Sequence, residues 1–191
     1  MIVRRTVTAA LCAGAAVAAV AAAAPATASA TYTGFQTVNY TTSPDGDVNY
    51  SLVTGLTNGG AVVGFSGTPS ADGKPSKGWI ATPPYAQADF HEKNYPGATQ
   101  TQVIGVDSNN ELVGSSVSST GVVSAFFKST SAWKTAAHAT QLMGVNNNAK
   151  AVGWIQVPAG AQPVKCTIAT GAAPVCVHLA LPGSPATRLR R

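Results

Sequence analysis

The chain of 191 residues is 45% hydrophobic and only 10% charged, and its formal net charge is +5. Five of its twelve basic residues lie near the two ends, and between residues 31 and 187 seven Lys balance seven Asp and Glu. Nucleic-acid binding requires clustered Lys and Arg to displace counterions from phosphates, and here the lysines are scattered singly, so we expect no nucleic-acid partner.

Residues 1–30 have the three parts of a secretory signal peptide. Arg4 and Arg5 precede an Ala- and Val-rich run over 9–24, and Ala28 and Ala30 frame a small-residue cleavage site. The run is too short and too weakly apolar to favour a membrane-spanning helix. We therefore expect cleavage after residue 30, secretion by the general or the twin-arginine route, and no membrane association of the remaining chain.

A segment of fourteen residues recurs three times after the signal, at 51–64, 101–114 and 140–153. The second and third copies are identical at seven positions, and all three copies place glycines at matching positions: Gly55 and Gly64, Gly105 and Gly114, Gly144 and Gly153. Each copy has two short apolar runs joined by residues rich in Asn, Asp and Gly, which tolerate the positive φ of tight turns. The repeat predicts one β-hairpin per copy, with Gly55, Gly105 and Gly144 at a bend or a close backbone approach.

Further strands are predicted after each hairpin. Residues 77–82, 124–129 and 165–170 align as a third strand, and 131–136 and 174–179 are candidate fourth strands. Residues 33–38 resemble the third strand without its hairpin. Segments 68–76 and 83–97, rich in Pro, Gly and polar residues, interrupt the first unit as an insertion.

These elements predict an all-β fold of three repeated antiparallel β units, each of about 40–50 residues, the period of a propeller blade. We expect a propeller-like or small-barrel arrangement, with a β-trefoil as the alternative. Three units are fewer than the four to eight blades with which propellers usually close. The predicted organisation is a signal peptide at 1–30, a single all-β repeat domain at 31–180 and a basic tail at 181–191.

Two cysteines, Cys166 and Cys176, remain once the signal with Cys12 is removed. An even cysteine count in an exported protein indicates a disulfide, here between adjacent strands. A redox or metal pair would need closer spacing and nearby ligands.

The third copy resembles the bacterial extracellular HAF repeats. In that family a Gly-Val/Ile-Asn-Asn hairpin precedes a His-Ala-Phe strand. Here Gly144-Val145-Asn146-Asn147 and Val152-Gly153 match the hairpin, and Ser124-Ala125-Phe126 matches the strand with Ser in place of His. The resemblance covers roughly 50–170, and it implies a secreted β-repeat array without a defined enzymatic activity.

Catalytic and metal-binding patterns are sparse. The segment 45–49 has alternating oxygen ligands, but it lacks the Gly and Glu of a calcium loop and Pro44-Asp45-Gly46 is typical of a turn. His91, His138 and His178 lack zinc-site spacing, so we expect neither a metal nor another cofactor. Trp79 and Trp154 lie in strands and should pack in the core, whereas Trp133 could equally contact a ligand.

Two hypotheses of function remain. The first is a secreted, non-catalytic module that binds a polysaccharide, a cell-surface component or a protein, since catalytic spacings are absent from the repeats. The second is a small exported hydrolase or protein inhibitor that acts through the segment 68–97, where Asp89, His91 and Glu92 could supply acid–base groups.

Overall fold

The fold is described from a computed structural model, over residues 36–43, 46–47, 50–67, 77–169 and 171–179. By its contacts the chain divides into two compact units, Met1–Gln36 and Thr37–Arg191. The second unit contains every element described below. The predicted signal peptide, its cleavage site at Ala28 and Ala30, the segment 68–76 and the tail 181–191 lie outside the described residues.

The described residues of the second unit form fourteen strands and a 3-10 helix, Gln87–Asp89, and no α-helix. A short hairpin comes first, in which β1 (Thr42–Ser43) pairs with β2 (Gly46–Asp47). The register pairs Ser43 with Gly46 and leaves the two residues of the predicted turn, 44 and 45, outside the description.

The remaining twelve strands form three separate four-stranded antiparallel sheets, each a simple meander in chain order. Sheet 1 contains β3 (Tyr50–Leu56), β4 (Val62–Gly67), β5 (Lys77–Ala81) and β6 (Phe90–Glu92). Sheet 2 contains β7 (Ala98–Val106), β8 (Leu112–Ser118), β9 (Val123–Lys128) and β10 (Trp133–Thr135). Sheet 3 contains β11 (Gln141–Asn146), β12 (Lys150–Val157), β13 (Gly160–Thr167) and β14 (Val175–His178).

This architecture confirms the prediction of an all-β fold with three repeated antiparallel units. The described strands close no barrel, so the arrangement is propeller-like and the barrel alternatives are wrong. The third and fourth strands are found near their predicted positions in sheets 2 and 3.

Two predictions about the first unit need correction. The segment 83–97 is not only an insertion, because it contains β6, the fourth strand of sheet 1. Three residues with a 3-10 turn before them are too short to show a strand period in the sequence. The predicted N-terminal strand is not present at 36–38, and 33–35 lie outside the described residues.

The two faces of each sheet pack against different neighbours, and we call them the rear face and the forward face. The rear face carries Val53 and Val62 in sheet 1, Val103 and Leu112 in sheet 2, and Leu142 and Ala151 in sheet 3. The forward face carries Val63 and Ile80, Val113 and Phe127, and Val152 and Lys165, respectively. Cross-strand pairing assigns these sets, since directly paired residues point to the same side of a sheet.

The core lies between successive sheets. Val63 of sheet 1 is buried with Val103, Leu112 and Phe126 of sheet 2. Val113 and Phe127 of sheet 2 are buried with Leu142, Ala151 and Val164 of sheet 3. The rear face of sheet 1 packs instead on Val38 and Tyr40 from the segment before β1. The sheets therefore stack head to tail, forward face on rear face.

The packing of the sheets explains why glycines recur in the repeat. In all three sheets the first strand has a register shift just before the first glycine: between Val53 and Gly55, Val103 and Gly105, Leu142 and Gly144. A Cβ on Gly55 would lie 3.5 Å from the Cα of Gly105, and one on Gly105 would lie 3.1 Å from the Cα of Gly144. A Cβ at Gly105 would therefore crowd the first strand of sheet 3, whereas a Cβ at Gly144 would meet only Val152 at 3.8 Å, so the close approach predicted at this glycine is not found.

The second glycine of each copy faces a backbone carbonyl across the hairpin. A Cβ on Gly64, Gly114 or Gly153 would overlap the carbonyl oxygen of Leu52, Gln102 or Gln141, respectively. Real Cβ atoms do not approach an oxygen so closely, so only glycine fits there.

A disulfide joins Cys166 of β13 to Cys176 of β14, as predicted. The two residues are directly opposite in the antiparallel register. Cys166 is fully buried and Cys176 nearly so, among the residues that pack against sheet 2. The bond therefore ties the outer hairpin of sheet 3 into the core.

Two of the three tryptophans pack as expected or nearly so. Trp79 is fully buried and contacts Phe90 edge-on, and Trp154 is half-buried in β12. Trp133, whose role was open, packs edge-on against Tyr95 and Phe126, and the Nζ of Lys128 lies 5.6 Å from its ring. Trp133 is therefore largely a packing residue.

Candidate functional site

The turns of the three repeat hairpins have the same construction. Thr57, Asp107 and Asn146 occupy matching positions, and each uses a side-chain oxygen to accept the backbone N–H four residues later. Asp107 and Asn146 also accept the N–H two residues later, at 2.9 and 3.0 Å. Such side-chain caps replace the ladder hydrogen bonds that a turn cannot make.

The fourth residue of each turn has a left-handed backbone, with φ of 83° at Gly60, 60° at Asn110 and 54° at Ala149. Gly and Asn adopt this conformation readily, whereas an alanine there costs free energy. The third turn is nevertheless held in the same shape, with Ala149 N–H bonded to the carbonyl of Asn146. Three different sequences thus produce one turn geometry.

These three turns converge on one cavity of about 320 Å³, lined by residues 56–58, 106–108 and 145–148. Leu56, Val106 and Val145 supply apolar surface, and the turn residues supply hydroxyl and amide groups. The second and third turns are joined directly: Ser108 N–H donates to Asn147 Oδ1 at 3.0 Å, and Asn147 Nδ2 donates to Ser108 Oγ at 3.3 Å. The convergence gives the chain one site built from all three repeats.

Asn58 is the matching residue of the first turn, and it makes no such bond. Its side chain is exposed at the cavity and has no hydrogen-bond partner among the described residues. Asn58 therefore presents a carboxamide donor and acceptor that are available to a ligand. Asn148 lines the same cavity and is also exposed.

A second cavity, of about 360 Å³, lies at the border between sheets 2 and 3. Glu111 and Lys134 both line it, together with the hydroxyl-bearing residues 129–131. Burial, and then the negative charge of Asp107, raise the pKa of the Glu111 carboxyl. Glu111 directly follows the second of the convergent turns, and its backbone N–H donates to Asp107 Oδ1 at 2.9 Å.

The acid–base residues proposed from the sequence are not assembled into a site. Asp89 Oδ2 accepts the Ala86 N–H at 2.7 Å, so it shapes the turn before β6. Glu92 accepts the Tyr40 hydroxyl at 3.2 Å and Asn94 Nδ2 at 2.9 Å. His91 points to the opposite face of β6 from Glu92, because adjacent strand residues alternate.

The other histidines are also separate. His138 is exposed in the connection between sheets 2 and 3, with a φ of 59°, and His178 lies in β14 with its Nε2 buried. Within the described ranges, no three His, Cys, Asp or Glu side chains come close enough to hold a metal ion.

The sequence predicts these turns but not the site that they form. The Asn- and Asp-rich segments predicted turn geometry, whereas their convergence depends on how the sheets stack. The one available signal was that three polar turns occupy the same position in three copies.

No protein-family model, curated protein or solved structure matches the chain. In the described part of the chain, no helix has the length and apolar character needed to cross a membrane.

Proposed function

We propose that this protein is a secreted, non-catalytic binding module that recognises a polysaccharide or another polar cell-surface component through its convergent turns. The observation that carries the proposal is the cavity formed by equivalent turns of all three repeats, with the unpaired carboxamide of Asn58 beside it. Hydroxyl and amide groups next to small apolar surfaces suit the alternating polar and apolar faces of sugars.

Export is supported by two features. Residues 1–30 have the pattern of a signal peptide, and a buried disulfide suits an oxidising compartment. The resemblance to extracellular HAF repeats points in the same direction. We propose no cofactor for this site, whose polar lining consists of hydroxyl and amide groups and the single carboxylate of Asp107.

The test is a depletion assay of the purified protein against insoluble polysaccharides, isolated cell walls and whole cells. Saturable loss from the supernatant onto one material is the expected result. Asn58→Ala should raise the apparent Kd roughly three- to tenfold, the effect of losing one or two neutral hydrogen bonds. The fold should be unaffected, since the Asn58 side chain has no hydrogen-bond partner among the described residues.

Gln156→Ala is the matched control, because it removes an exposed carboxamide near the end of β12, far along the strand from the turn. This variant should bind like the wild type. Absence of depletion on every material, or equal binding by Asn58→Ala and the wild type, contradicts the proposal. A hydrolase or inhibitor acting through 68–97 predicts the second of these outcomes.

A further inference from the structure

Equivalent residues on the forward faces differ sharply in exposure. Val63 of sheet 1 and Val113 of sheet 2 are fully buried, with 0% of their surface exposed, whereas Val152 of sheet 3 is 48% exposed. All three residues pair with the first glycine of their own repeat, so they hold the same place in their sheets. Val63 and Val113 each pack against the next sheet, whereas Val152 has no sheet of the described residues packed against it.

A matching exposed surface is found on the rear face of sheet 1. Val103 and Leu142, which cover the preceding sheet in the two formed junctions, are fully buried. The matching residue of sheet 1, Val53, is 48% exposed. Leu56 beside it is 66% exposed, and Met143 beside Gly144 is 50% exposed.

The segment before β1 does not take this place. Tyr40 contacts the rings of Trp79 and Phe90 in the two outer strands, and Val62 of β4 is buried in the same cluster, against which Val38 packs. The first strand of sheet 1, with Val53 and Leu56, stays open. The chain therefore has both surfaces of a third junction, the forward face of sheet 3 and the first strand of sheet 1. Within one copy these two surfaces do not cover each other.

Charge favours bringing these two ends together between copies. The segment 37–97, which contains sheet 1, has five Asp and Glu and three Lys, a net charge of 3 − 5 = −2. The segment 137–180, which contains sheet 3, has two Lys and no Asp, Glu or Arg, a net charge of +2. Sheet 3 therefore lies in a cationic segment and sheet 1 in an anionic one, so a head-to-tail approach is attractive and a like-to-like approach is repelled.

We propose that a second copy of this chain completes the third junction. The forward face of sheet 3 in each copy packs on the first strand of sheet 1 in the other, so that Val152 meets Val53 twice around a twofold axis. Two copies then form a cycle of six sheets, within the four to eight blades of closed propellers. A twofold dimer is the commonest closed assembly of identical chains. This proposal rests on the exposed residues of sheets 1 and 3 and not on the proposed function, although Leu56 also lines the cavity at the turns.

The test is the molar mass of the purified protein by light scattering coupled to size exclusion, over roughly 1–100 μM. The wild type should have twice the chain mass. Val152→Lys and Val53→Asp should each be monomeric, because each places a new charge at both points where Val152 and Val53 meet, and that charge would be buried there. The double variant Val53→Asp/Val152→Lys should regain the dimer, since the two new charges are opposite and adjacent.

Val122→Asp is the matched control, as Val122 is 59% exposed in the turn between β8 and β9 and takes no part in the junction. It should remain dimeric, and circular dichroism should show all variants folded. A monomeric wild type across the range overturns the proposal. A dimer that resists both single substitutions also overturns it.

Discussion

The side chain of Asn147 holds the third turn against the second through two hydrogen bonds to Ser108, one in each direction. Asn147 Oδ1 accepts the Ser108 N–H at 3.0 Å, and Asn147 Nδ2 donates to Ser108 Oγ at 3.3 Å. Because the residues are 39 positions apart, this pair links two repeats and not two parts of one hairpin. The pair fixes one side of the cavity, whereas Asn58 leaves the other side without such a link.

Asn147→Ala should therefore lower the free energy of unfolding by about 1 kcal/mol, the net value of one or two exposed hydrogen bonds. Asn58→Ala, the same change in the first repeat, should leave it unchanged. Urea denaturation followed by tryptophan fluorescence measures both. Equal stabilities of the two variants would show that the Ser108–Asn147 pair contributes nothing.

Gly114→Ala should be strongly destabilising, by about 3 kcal/mol or more, because the new Cβ would overlap the Gln102 carbonyl oxygen in a buried strand. Gly59→Ala is the control, since its Cβ would meet only Thr57 Oγ1 at 3.9 Å and its φ is not in the left-handed region. Thermal unfolding should separate the two variants clearly. A Gly114→Ala protein as stable as Gly59→Ala would contradict the close approach.

The charge of Asp107 should be visible in the titration of Glu111. Burial and then this charge raise the pKa of Glu111 above its ordinary value, so the ionised carboxylate is disfavoured in the folded protein. Asp107→Asn keeps an oxygen acceptor for the turn, as Asn146 does in the third repeat, and should shift the pKa of Glu111 downward without restoring it fully. NMR titration of the Glu111 carboxyl carbon measures the shift. A pKa that does not fall would assign the whole effect to burial.

The same raised pKa has a consequence for stability. Because the pKa of Glu111 is higher in the folded protein, the unfolded chain loses this proton at a lower pH than the folded protein does. Ionisation of Glu111 therefore favours the unfolded chain, and stability is lost as pH rises through the folded-state pKa. Glu111→Gln should therefore stabilise the protein at pH 7 relative to the wild type. This gain should disappear near pH 3, below the ordinary pKa range of Glu. A gain that is equal at both pH values would contradict the assignment.

The disulfide should resist reduction until the protein unfolds. Cys166 and Cys176 are 0% and 7% exposed, so a reductant has little access to either sulfur in the folded state. Thiol labelling should stay low in dithiothreitol alone and become complete when urea is added. Once reduced, the protein should lose about 2–3 kcal/mol of stability, as expected for a short closed loop. Rapid labelling without denaturant would place the bond outside the core.

The sequence predicts the units of this fold well and their assembly poorly. Turn residues and glycine spacing are local, and they locate the hairpins of β3–β4, β7–β8 and β11–β12. The strand β6 is not predicted, because three residues after a Pro-rich loop carry no periodicity. The cavity is not predicted, since Asn58, Ser108 and Asn147 become neighbours only through sheet packing. Asp89 and Glu92, which the sequence offers as acid–base groups, make hydrogen bonds that hold the structure around β6, and His91 lies on the opposite face.

The capping oxygen of each turn is supplied by three different residue types, Thr57, Asp107 and Asn146, and the turn is the same each time. What the backbone demands at that position is an acceptor and not a particular amino acid. The neighbouring tip positions, 58, 108 and 147, are not needed for the cap. Under the proposed binding function, the side chains at the tips can therefore change the ligand that is recognised without loss of the capping hydrogen bonds.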